Sequence, residues 1–141
     1  RKEFSKEELQ FGYRSSSFQK MRGAILSATF QLEPGSEARQ TQLEIVGYRM
    51  KTQPLKEKSA GCVFRNPDPL LSAGALIDRC GLKGFSIGGA QVSEVHANFL
   101  VNKGSATATD VLSLIQAIQS IVNEKTGIHL EPEIRIVGPH G

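Results

Sequence analysis

Seven residues stand where their types and neighbours allow chemistry: Arg14, Cys62, Arg65, Asn66, His96, Glu133 and Arg135. Arg14 sits in a loop with Ser15, Ser16 and Ser17 behind it. Its planar, permanently charged fork suits a carboxylate or a phosphate, although a solvated loop arginine would look the same. Cys62 follows Gly61 and precedes Val63-Phe64. A thiol in such company is usually a small buried hydrophobe. Arg65-Asn66 stand before Pro67, as plain turn residues or as a polar cluster stiffened by proline. His96 and Asn98 lie at a boundary between polar and apolar sequence, where a lone histidine is more often structural than catalytic. Glu133 and Arg135 are two apart in an apolar tail, so in a strand they share a face; at the surface such a pair is worth little. Cys62, Cys80 and three isolated histidines show no metal-ligand spacing. Taken alone, these residues allow an anion site and no more.

The elements that must position them follow from pattern. Ser5-Lys6-Glu7-Glu8 has capping-box spacing and predicts a short helix ending at Phe11-Gly12. Residues 13–18 read as a turn-rich loop. Residues 24–32 predict a strand, with Ile25, Leu26, Ala28 and Phe30 among small polar residues. Pro34-Gly35-Ser36 is a turn. Residues 37–49 predict a surface helix with Leu43, Ile45, Val46 and Met50 as its apolar stripe. Residues 51–60 read as an exposed connection, residues 61–64 as a short strand, and residues 65–69 as a stiff loop. Ser72 caps a helix through Ala75, Leu76, Ile77 and Cys80, closed by Gly81. Residues 86–92 are half strand and half Gly-rich loop, and residues 97–101 a strand. Thr109-Asp110 caps a helix with Val111, Leu114, Ile115, Ile118, Ile121 and Val122 at i, i+3, i+4 spacing, closed by Gly127. Residues 129–137 alternate as a strand. The order predicts an α+β fold, with small mixed sheets packed against helices in two small lobes.

Composition narrows the class. The 141 residues carry 17 Lys and Arg against 14 Asp and Glu, a net +3 too weak to demand a nucleic-acid partner. A 39% apolar share with 14 Gly is ordinary globular composition. No apolar run approaches the ~20 residues of a membrane-spanning helix. Arg1-Lys2-Glu3-Phe4 has no apolar run behind it, so a signal peptide is not expected. A start without Met points to a fragment or a processed product. Two cysteines make no disulfide scaffold and no CxxC pair. There is no GxGxxG and no Walker A loop, so any nucleotide is held by other means or in another domain.

Four segments, in order, carry a resemblance. They are Phe11-Gly12-Tyr13-Arg14-Ser15-Ser16-Ser17-Phe18; Ala60-Gly61-Cys62-Val63-Phe64-Arg65-Asn66-Pro67; the stretch from Ala73-Gly74 through Leu76-Ile77-Asp78, Gly81-Leu82-Lys83-Gly84 and Gly88-Gly89-Ala90 to His96-Ala97-Asn98-Phe99; and Leu130-Glu131-Pro132-Glu133-Ile134-Arg135-Ile136-Val137-Gly138. The chain resembles the C-terminal part of the UDP-N-acetylenolpyruvoylglucosamine reductase family, flavoenzymes of peptidoglycan precursor synthesis. The short stretch between Pro34 and Gly61 is similar to the compact class of that family, which lacks an extra substrate-covering loop.

The resemblance implies a reaction and roles. An enolpyruvyl ether on a UDP-amino sugar receives a hydride from reduced flavin at its terminal alkene carbon. Charge builds as an enolate on the carbon next to the carboxylate, and a proton must arrive there. By this resemblance Arg14 holds the carboxylate, a protonated Glu133 donates to the same group, and Cys62 stands where many members have a proton-donating serine. An ordinary thiol titrates near 8.5 and is mainly protonated at neutral pH. Tyr13, Arg65, Asn66, Gln91 and His96 are implied in substrate binding, Arg135 in flavin contact, and no residue in metal binding. FAD is expected mainly on an N-terminal domain of the same polypeptide, with NADPH as reductant. Residues 1–23 would lead in from that domain and residues 24–141 would form the substrate domain. The implied location is the cytoplasm, with neither nucleic acid nor membrane as partner. The 141 residues alone are expected to bind FAD weakly or not at all and to be inactive. The rival reading is a UDP-sugar-binding module that no longer reduces anything.

Overall fold

Local signals set the first turns of the chain. In the computed structural model, which describes residues 1–12 and 15–138, Lys6–Glu8 form a short 3₁₀ turn. The Ser5 N–H donates back to Glu8 Oε2 at 2.7 Å, as the capping spacing predicts. Strand β1 (Phe11–Gly12) pairs antiparallel with β2 (Ser15–Ser16). The stretch expected as a turn-rich loop therefore contains a short strand. Tyr13 and Arg14 lie outside the described residues. A second 3₁₀ turn, Ser17–Lys20, follows, and Phe18 meets Phe4 edge to face at 5.9 Å.

The strand expected over residues 24–32 is not formed. These residues carry no regular structure and all are exposed, Leu26 at 76%, Phe30 at 78% and Leu32 at 83%. A strand is held by its neighbour's backbone groups, and no described strand pairs with this segment. Arg1–Gly35 form one compact unit and Ser36–Gly141 a second.

In the second unit, helix α1 (Ala38–Thr52) runs three residues past the expected end and buries none of its side chains. Its apolar residues do not gather into one stripe. At 100° per residue Leu43, Val46 and Met50 share a side, while Ile45 lies opposite. Strand β3 (Lys58–Cys62) begins earlier than expected, because its partner strand fixes its extent. Helix α2 (Ala73–Arg79) starts and stops as its caps dictate: Ser72 Oγ accepts the Ala75 N–H at 3.1 Å, and Gly81 takes φ +74°.

Strands β4 (Ser86–Ile87) and β5 (Ala90–Val92) form a hairpin, and β6 (Phe99–Asn102) completes a sheet of order β3-β6-β5-β4. Every pairing in it is antiparallel. Helix α3 (Ala108–Thr126) packs on this sheet. Its cap is Thr107, not Thr109, because only Thr107 has an acidic residue three positions on. Thr107 Oγ1 accepts the Asp110 N–H at 3.1 Å, and Asp110 Oδ2 accepts the Thr107 N–H at 2.9 Å. Asp110 Oδ2 also takes the Gly89 N–H at 3.3 Å, tying the hairpin tip to the helix. The Thr107 and Gly89 N–H donors hold the Asp110 carboxyl below its ordinary value.

The core lies between sheet and helices: Leu114, Ile118 and Val122 of α3, Ile77 of α2, Val92 and Leu100 of the sheet, with Phe64 and Leu130. Burying each such side chain contributes on the order of 1.5–3 kcal/mol. The strand expected over residues 129–137 reduces to one bridge, Phe64 with Pro132. Proline has no N–H to continue a ladder, so the tail pairs only on either side of it.

Candidate active-site cleft

The strand that carries Cys62 ends irregularly. Its register with β6 shifts between Ser59 and Cys62, and Gly61 there takes φ +87°. Past that point the chain is fastened by other bonds. The Val63 N–H donates to the Asn98 carbonyl at 2.9 Å. Asn98 Oδ1 accepts the Phe64 N–H at 2.9 Å, and Asn98 Nδ2 donates to the Phe64 carbonyl at 2.8 Å.

The C-terminal segment closes on the same place from the other side. The Arg65 N–H donates to the Glu131 carbonyl at 2.9 Å, and the Glu133 N–H to the Val63 carbonyl at 2.7 Å. Glu133, which is half-buried, is therefore anchored to the residue next to Cys62. These two residues are 71 positions apart in sequence, and the backbone bond from Glu133 to Val63 holds them near each other.

Cys62 is exposed and opens on a cleft of about 290 Å³. Asn66, Ser72, Asp78, Lys83 and His96 line the same cleft. Asn66 has a structural task too: its Oδ1 accepts the Ala73 N–H at 3.1 Å and so helps to cap α2. Lys83 Nζ lies 2.9 Å from Asp78 Oδ2, so the one ammonium on the cleft wall is balanced by a carboxylate. The wall thus offers a thiol, an amide, an imidazole and an ion pair, a set suited to a polar ligand.

His96 is held by its neighbours. Its Nδ1 accepts the Asn98 N–H at 3.2 Å, which leaves the proton of the neutral ring on Nε2. The ring meets Phe99 at 4.9 Å, and a Cβ added at Gly74 would lie 3.1 Å from its Cε1. Burial pushes the His96 pKa below its ordinary value and the Lys83 charge lowers it further, against a backbone hydrogen bond that raises it.

The unfolded histidine titrates near 6.5, so the folded state resists a proton that the unfolded state accepts. The stability His96 contributes is whole above that pH and is lost as pH falls through the depressed value. We expect the urea midpoint to drop between pH 7.5 and 5.5, and to drop less in His96→Asn, which keeps an acceptor for Asn98. Equal drops in the two proteins would refute this.

The structure thus joins Cys62, Asn66 and His96 in one cleft, with Glu133 anchored beside it. Arg65 is exposed and contributes its backbone. Gln91 does not line the cleft; its Nε2 donates to the Gly84 carbonyl at 3.1 Å. Arg135 is exposed on the tail. Arg14 and Tyr13 are outside the described residues. Residue-by-residue reading missed Lys83, Asp78 and the role of Asn98. The signal for Asn98 was available: a polar residue opening the apolar run 99–101. Among the described residues no group of three His, Cys, Asp or Glu is placed to hold a metal.

Comparison with known proteins gives a consistent result. The family described as UDP-N-acetylenolpyruvoylglucosamine reductase, C-terminal domain, matches residues 53–137. A UDP-N-acetylenolpyruvoylglucosamine reductase of Protochlamydia amoebophila is 60% identical over 134 residues, covering 95% of this chain. The reductase of Chlamydia muridarum is 51% identical over 133 residues, covering 94%. The chain spans 44% of the length of each of these relatives. The crystal structure of UDP-N-acetylenolpyruvylglucosamine reductase from Thermus caldophilus superposes with a TM-score of 0.67 at 40% identity, over 92% of this chain and 46% of that one.

Proposed function

Because the chain belongs to the UDP-N-acetylenolpyruvoylglucosamine reductase family through its C-terminal domain, we propose that it is the substrate-binding and proton-donating part of such a reductase. The reaction is reduction of UDP-N-acetylglucosamine enolpyruvate to UDP-N-acetylmuramate, a step of peptidoglycan precursor synthesis in the cytoplasm. The observation that carries this reading is Cys62, exposed on a cleft with Asn66 and His96 while Glu133 is anchored one residue away.

The cleft is sized for part of a sugar nucleotide and too small for a whole FAD. Arg135, the expected flavin contact, is exposed and does not line it. FAD is therefore assigned to an N-terminal domain of the same polypeptide. When bound there and reduced by NADPH, it supplies the hydride. Residues 1–23 lead in from that domain and residues 24–141 bind substrate. The exposed residues 24–32 favour this partner: the apolar side chains at 24, 26, 28, 30 and 32 would share one face if the segment paired as a strand with that domain.

The chain's own groups divide the remaining work. Arg14 holds the substrate carboxylate and offsets the charge that develops there. Glu133, protonated, donates a hydrogen bond to the same carboxylate. The Cys62 thiol gives its proton to the adjacent carbon. Asn66 and the Nε2–H of His96 offer donors to the UDP-sugar, Arg65 and Gln91 bind it from outside the cleft lining, and Tyr13 is assigned to the same substrate. No helix of the described residues is long and apolar enough to cross a membrane.

The test uses the full-length protein. It should be yellow, and it should oxidise NADPH only when UDP-enolpyruvyl-N-acetylglucosamine is present. Substrate binding without oxidation would make the protein a non-catalytic UDP-sugar-binding module. A colourless full-length protein would remove the flavoenzyme reading.

A further inference from the structure

We propose that Asn98 is a positioning residue that sets the place of the Cys62 thiol, of His96 and of the Glu133 backbone together. It rests on the reading of Cys62 as proton donor.

Asn98 is 3% exposed, and its polar groups are engaged with the cleft's framework. Its side chain closes a two-bond ring on Phe64, accepting from the N–H and donating to the carbonyl. Its own carbonyl takes the Val63 N–H, and its N–H donates to His96 Nδ1. The Val63 carbonyl in turn takes the Glu133 N–H.

The sheet cannot do this work. The β3–β6 register is already irregular before Cys62, and the pairing ends at Cys62 with Phe99. The asparagine amide replaces the ladder at the point where the ladder stops. Its geometry is specific, because one end must donate and the other accept. An alanine leaves the Phe64 N–H and carbonyl buried without these partners, which is costly and lets the segment move. An error of about 1 Å in a reacting group costs on the order of 100-fold in rate.

The experiment uses full-length enzyme carrying Asn98→Ala, with Asn98→Ser as the milder variant if the alanine protein does not fold. Reoxidation of the NADPH-reduced flavin by UDP-enolpyruvyl-N-acetylglucosamine should slow by about 10- to 100-fold. Reduction of the flavin by NADPH should stay within about threefold. Amide hydrogen exchange at Phe64 and Glu133 should rise about tenfold or more. Equal slowing of both half-reactions would make Asn98 merely structural and overturn the proposal. An unchanged substrate half-reaction would overturn it as well. Unchanged exchange at Phe64 and Glu133 overturns the clamp whatever Cys62 does. A Cys62→Ala enzyme with full rate would instead refute the role of Cys62, and the exchange result would still report on the clamp.

Discussion

In the full-length protein, Cys62→Ala should slow substrate reduction on the order of 1000-fold, and Cys62→Ser should keep substantial turnover. General acid catalysis by a placed side chain contributes about 10²–10⁴-fold, and alanine has no proton to give. Serine is a weaker acid than a thiol, but it puts an O–H where the S–H stood. The prediction draws on position as much as on chemistry. Cys62 is exposed on the cleft, whereas Cys80 is buried in the core. Cys80→Ala should therefore leave the rate within about threefold, although it removes core volume. Single-turnover reoxidation of the reduced flavin by UDP-enolpyruvyl-N-acetylglucosamine reads the step directly. NADPH-driven flavin reduction serves as internal control, because Cys62 has no part in it. A Cys62→Ala enzyme that reduces substrate at the wild-type rate would remove this residue from the mechanism.

Parts of this arrangement were legible in the sequence because local physics decides them. Helix α3 declares itself by the spacing of Leu114, Ile115, Ile118 and Val122, and Gly127 ends it with φ +71°. Ser72 and Gly81 bracket α2 for the same reason. Elements that depend on a partner were misread. Residues 24–32 have a strand's alternation and no described strand beside them. The tail holds Ile134 against the core, yet Pro132 limits its pairing to the bonds on either side. The site shows the same division. Cys62 and Asn66 lie in one short segment, but His96 and Glu133 join them through long-range bonds that no local spacing encodes. Only the order of four segments, read as a family resemblance, placed those residues in one mechanism. Residue types and spacing alone allow an anion site and no more.

Gly89→Ala should be among the most damaging small changes in the chain, costing on the order of 3 kcal/mol. A Cβ there would overlap the backbone nitrogen of Ala106 and sit 2.7 Å from its Cα. Those are main-chain atoms just ahead of α3, so no side-chain rotation relieves the overlap. Gly89 also carries two bonds that would move with it. Its carbonyl accepts the Lys103 N–H at 3.0 Å, and its N–H donates to Asp110. Shifting the hairpin tip would loosen β5, which pairs with β6 through Val92 and Leu100, and β6 begins at Phe99, next to Asn98. The change should therefore lower the thermal midpoint by roughly 10–20 °C for a unit of this size and speed hydrogen exchange along β5 and β6. Gly47→Ala is the matched control, with nothing within 4 Å of the added Cβ on the exposed helix α1. It should move the midpoint upward, by about 0.5–1 kcal/mol of helix propensity. If calorimetry found the two substitutions equivalent, the close approach of Gly89 to Ala106 would not be the constraint that holds the hairpin to the helix.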